Sequence, residues 1–97
     1  MNDTLKIGPL VYTVEEIPDL KDTDGSTFLF GSIRYSEQAI KVDAGMSAER
    51  KRITVLHEAI HAISDMRGLN LSEKQVVALG VAIYELFHDN PWLGVAV

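Results

Sequence analysis

His57-Glu58-Ala59-Ile60-His61 is the stretch of this 97-residue chain whose residue types and spacing can do chemistry. In a helix, positions i and i+4 stand one turn apart on the same face, so both imidazoles can reach one ion. Glu58 is rotated about 100° from His57, off the ligand pair itself, where its carboxylate can hydrogen-bond a metal-bound water and take its proton. Ile53, Val55, Leu56, Ala59, Ile60, Ala62, Ile63 and Met66 make the segment apolar on most sides, which predicts a central, buried helix. An unpaired glutamate in so apolar a helix would be costly to bury without a role.

The chain has no cysteine, so a thiolate site is excluded and any zinc must be held by histidine and carboxylate. The third ligand decides the kind of site. The metzincin pattern wants Gly three residues after the second histidine and His or Asp six after, and Ser64 and Arg67 stand there instead. A carboxylate from a second helix then gives a His2Glu site with an open position for water. Glu73 is the first choice, because it follows the chain reversal and shares a helical stripe with Val77, Gly80 and Tyr84. Asp65, one turn beyond His61, is the alternative, as a ligand or as a hydrogen-bond partner of a ligand histidine. Tyr84 and His88 share the phase of Glu73 and are candidate donors to a developing oxyanion.

The elements that must position these residues read as follows. Lys6 to Val14 predicts a strand interrupted or begun at Gly8-Pro9, and Glu15 to Leu20 a helical turn limited by Pro18. Lys21-Asp22-Thr23-Asp24-Gly25-Ser26 is a polar turn cluster; it lacks the late glutamate of a calcium loop and reads as a surface loop. Thr27 to Tyr35 predicts a second strand, Ser36-Glu37 a tight connection, and Gln38 to Val42 a third strand. Short connections favour an antiparallel meander. Ser47 should cap the motif helix, Gly68 should end it in a left-handed conformation, and Ser72 should cap a second helix that runs to Phe87 or His88 before Asn90-Pro91. Gly80 in mid-helix costs about 1 kcal/mol relative to Ala, for which a close approach to the motif helix is a sufficient reason. The apolar tail Trp92-Leu93-Gly94-Val95-Ala96-Val97 is expected to pack back on the domain or to meet a partner. The expected fold is therefore α+β: a short antiparallel or mixed three-stranded sheet packed on the motif helix and a second C-terminal helix, in one domain over residues 1–97.

The net charge of −5 argues against nucleic acid, and the densest basic run, Arg50-Lys51-Arg52, reads as the solvated face of a first helical turn. Neither a signal peptide nor a membrane-spanning apolar run is legible, which makes a cytoplasmic protein without a membrane partner the expectation.

Strands, then a helix bearing Thr54-Val55-Leu56-His57-Glu58-Ala59-Ile60-His61-Ala62, then a second helix bearing Glu73, resembles the minimal gluzincins. It is similar in particular to the small H-E-x-x-H proteins of bacteria and their phages related to the ImmA/IrrE-like metallopeptidases. The resemblance covers the last half of the chain with specificity and the strands in outline. It implies a zincin fold and a zinc metallopeptidase that hydrolyses a peptide bond of a protein or peptide substrate, with His57, His61 and Glu73 as ligands of Zn2+ and Glu58 as general base. The E-x-x-A-N-x-F-A stretch usual in that family is represented by Glu73-Lys74-Gln75-Val76-Val77-Ala78-Leu79, at a shorter distance from the motif. The competing expectation is a non-catalytic zincin-fold interaction module that docks through its apolar tail or a strand edge. In either case an exposed sheet edge can hold an extended peptide by strand addition.

Overall fold

The computed structural model describes residues 3–94. Strands β1 (Asp3–Ile7) and β2 (Leu10–Ile17) form a hairpin whose two-residue loop is Gly8-Pro9. Gly8 takes φ 57°, and proline locks the next φ at a negative value, the sign pattern of a type II′ turn, whose twist suits a tight hairpin. The segment expected as one interrupted strand is thus two, and the sheet has four strands rather than three. The helical turn expected over Glu15 to Leu20 is also absent: β2 runs on to Ile17 because Thr13 to Ile17 pair with a neighbouring strand.

That neighbour is β4 (Ala39–Asp43), and the pairing is parallel. Strand β3 (Gly31–Arg34) pairs antiparallel with β4 across a turn at residues 35–38, giving the order β1-β2-β4-β3. The sheet is therefore mixed, not a meander. A parallel pair needs a long crossover, and residues 18–38 supply it by laying β3 at the outer edge before the chain returns as β4. Within that crossover Asp22 and Asp24 accept hydrogen bonds from the Ser26 amide at 3.2 and 2.8 Å, so the loop's own backbone engages the acidic side chains.

Helix α1 (Ala48–Arg67) opens where Ser47 Oγ accepts from the Arg50 amide at 3.2 Å and closes at Gly68, φ 66°. Helix α2 (Glu73–Asp89) opens with a reciprocal cap between Ser72 and Gln75. Each such cap stabilises a helix start by about 1 kcal/mol. The core lies between one face of the sheet and α1: Tyr12, Val14, Ile40 and Val42 meet Ala59 and Ala62. The two alanines let the helix axis sit close to the strands. Helix α2 packs on the far side of α1 and buries only Val76 and Gly80. The motif helix is thus covered on two sides, and Ile63 is 41% exposed.

A methyl group built on Gly80 would lie 3.8 Å from both His57 Cα and Ile60 Cδ1. The helices do approach closely there, but the space for alanine exists. Gly80→Ala is therefore expected to raise stability by up to about 1 kcal/mol through helix propensity and lost unfolded-state freedom. A denaturant midpoint that fell instead would contradict this packing.

The tail forms a 3-10 turn over Pro91–Gly94, in which Gly94 lies against Phe87 while Trp92 stays 66% exposed. Residues 95–97 of the expected apolar tail lie outside the described residues. No helix among the described residues is long and apolar enough to cross a membrane.

Candidate metal centre

The ring nitrogens Nε2 of His57 and His61 each lie 2.8 Å from the Glu73 carboxylate, one on Oε1 and the other on Oε2. Two imidazoles from one helix and a carboxylate from the next thus converge on one point. Ligand atoms of His57, Glu58 and His61 all lie within 4.8 Å of one another, a group that can hold a metal ion.

The chain reversal sets Glu73 in place. Buried Ser64 on α1 accepts the Leu71 amide through Oγ at 3.0 Å, while its carbonyl takes the amides of Gly68 and Leu69. The Ser72 cap follows at once, so Glu73 begins α2 directly opposite His61. Asp65 is exposed and bonds to neither imidazole. Its charge acts instead on Tyr12 and Tyr35, which lie over the sheet side of α1.

Tyr84 and His88 are not brought to this point. Their rings stack on each other at 5.9 Å, and His88 Nδ1 pairs with Asp89 at 3.3 Å. Eleven residues at about 1.5 Å each put Tyr84 about 16 Å along the helix from Glu73. A shared helical phase aligned them with Glu73, but axial rise carried them past the centre.

Glu58 is 7% exposed, and its Oε2 has no hydrogen-bond partner. Gly31 opens the room beside it: a Cβ at that position would stand 2.5 Å from Thr54 Cγ2 and 3.5 Å from Glu58 Cγ, so only glycine lets edge strand β3 lie this close to α1. Burial holds the Glu58 carboxyl above its ordinary value of 4.5, with His57 and His61 opposing and Glu73 adding to the rise. The unfolded chain releases this proton near the ordinary value, whereas the folded one keeps it to higher pH. Stability therefore falls as pH rises from that value through the raised folded pKa. Metal-free Glu58→Gln, which cannot ionise, is expected to melt above wild type at neutral pH and to lose this advantage below the ordinary carboxylate range. A melting difference that stayed constant from acid to neutral pH would contradict the raised pKa.

Sequence reasoning missed Tyr35, in the turn after β3, whose hydroxyl lies 3.5 Å from the His61 carbonyl. Burial, then the charges of Asp65, Glu58 and Glu73, push the phenol up, so at neutral pH it keeps its proton and can donate. A tyrosine at the exit of an edge strand is the only signal that would have marked it. On the other side, His57, Glu58 and Glu73 form one end of a cleft of about 520 Å³, whose walls include Phe30, Ile53, Val77 and Val81. The basic run at the start of α1 is not simply solvated: Lys51 pairs with Glu16 at 2.5 Å, and the Arg50 guanidinium lies 5.8 Å from the Phe30 ring centre.

Zinc suits these donors. Ligands on one tetrahedral zinc stand about 3.3 Å apart at bond lengths of about 2.0–2.2 Å. The 2.8 Å contacts would need to open by about half an ångström, and Glu73, with a side chain 64% exposed, is free to give that much. Compared with known protein families, with curated proteins and with solved structures, the chain matches none.

Proposed function

We propose that the chain is a zinc-dependent metallopeptidase of the zincin type, hydrolysing a peptide bond in a protein or peptide substrate. The observation that carries this reading is Glu58: a buried carboxylate with one unpartnered oxygen, next to two histidines that converge on a third ligand. Four protein ligands close a structural zinc site, whereas His57, His61 and Glu73 leave one position open, and the unpartnered oxygen of Glu58 then stands beside it as a base.

His57, His61 and Glu73 would hold the ion. Bound zinc supplies an acidified water and a Lewis acid for the scissile carbonyl. Glu58 accepts a proton at Oε2, its burial raising its affinity for that proton, and returns it to the leaving amine. Tyr35, whose hydroxyl donates to the His61 carbonyl, would position that ligand histidine. The β3 edge aligns an extended substrate backbone.

The exposed side chains Leu79, Leu86 and Trp92 favour a second reading, a protein-interaction module that keeps the fold without catalysis. Incubation of wild type with a native lysate, with and without chelator, separates the two. New peptide termini detected by mass spectrometry that disappear on chelation support hydrolysis. Capture of a binding partner without any new termini would overturn it.

A further inference from the structure

The cleft lined by His57, Glu58 and Glu73 is also lined by a cation, Arg50. Arg50, Thr54, His57 and His61 follow one another at helical spacing on one face of α1. Arg50 and His57 both line the cleft, with Ile53, Phe30, Val77 and Val81 between and across from them. Seven residues of helix make about 10 Å, the length of about three residues of extended chain.

Of the run Arg50-Lys51-Arg52, Arg50 is the residue that lines the cleft. Lys51 is matched by Glu16, and Arg34 by Glu37 at 3.4 Å. Arg50 meets no carboxylate among the described residues and lies over the Phe30 ring. A guanidinium held by an aromatic face keeps its planar fork free for two parallel hydrogen bonds to a carboxylate. In a chain of net charge −5, such a cation in the wall of an apolar cleft is complementary to an anion that arrives with the ligand. The helical spacing between Arg50 and His57 sets how far along the ligand that anion stands from the metal ligands.

We propose that Arg50 anchors a substrate carboxylate, so that the cleft selects an extended peptide with apolar side chains and a carboxylate about three residues from the metal centre. This rests on the peptidase reading of the same site. The carboxylate is either an acidic side chain or a free C terminus.

The test is binding without turnover. In a Glu58→Gln background, fluorescence anisotropy reads the Kd of labelled hexapeptides built on leucine and phenylalanine. Each carries one Asp moved stepwise along the chain, or Asn in its place, and is made as the C-terminal acid and as the amide. An Asp peptide should bind tenfold or more tighter than its Asn twin in one register. Arg50→Gln should erase that preference and Arg50→Lys should keep part of it, with zinc content and melting temperature matching the parent. A preference that survives amidation assigns the side chain as the source; one that vanishes on amidation assigns the C terminus. Equal binding of all peptides, no binding of any, or a preference that survives Arg50→Gln would overturn the proposal. A preference that depends on Arg50, in a protein whose wild type cleaves none of the peptides, upholds the anchor and removes the peptidase.

Discussion

Glu58→Gln is expected to lower kcat by about 10²–10⁴, the range a positioned general base supplies, while fold and zinc content stay as in wild type. The substitution keeps the volume of the side chain and exchanges a carboxyl that is costly to ionise for a neutral amide in the same buried place. The factor corresponds to about 3–5 kcal/mol of transition-state stabilisation at about 1.4 kcal/mol per decade. KM should change little, since Glu58 acts on the attacking water and not on the substrate chain. Steady-state kinetics on any peptide that wild type cleaves reads both constants. A kcat within a factor of a few of wild type would remove Glu58 from the chemistry.

The second large effect concerns Glu73 against Asp65. Glu73 touches both imidazoles at 2.8 Å. Glu73→Gln should therefore weaken zinc binding by more than the 10–100-fold typical of losing a group that only orients a ligand. Asp65→Asn should leave the affinity near wild type, because that exposed side chain bonds to neither histidine. Competition with a chromogenic chelator measures both. The reverse order would transfer the ligand role to Asp65.

The residues that proved legible in the sequence were those whose role follows from local geometry. The H-E-x-x-H spacing, the Ser47 and Ser72 caps and the left-handed Gly68 depend on three or four neighbouring positions, and the structure has them as expected. Glu73 was reachable because a short reversal joins its helix to the motif. The strands were harder. Gly8-Pro9 reads as a break in one strand unless the II′ preference for glycine at the first loop position is given its full weight. The parallel pairing of β2 with β4 spans residues 18–38, and no local pattern encodes which edge a returning strand will choose.

The site residues the sequence did not disclose come from the same long-range pairings. Gly31 and Tyr35 reach α1 because β3 is the outer strand, placed there by its hairpin with β4. Helical phase alone pointed to Tyr84 and His88, and the rise of α2 takes them away from the centre. Arg50 and Lys51 read as a solvated run, yet tertiary neighbours give Lys51 a glutamate and Arg50 an aromatic face in the wall of the cleft.

The claim on which the rest depends is that His57 and His61 hold a metal together. Elemental analysis of the purified protein beside His57→Ala and His61→Ala tests it most directly, with chelator-treated wild type as a melting control. About one zinc per chain is expected in wild type and close to none in either variant, with a lower melting temperature after chelation because the site forms only in the folded state. Equal metal content in all three proteins would contradict it.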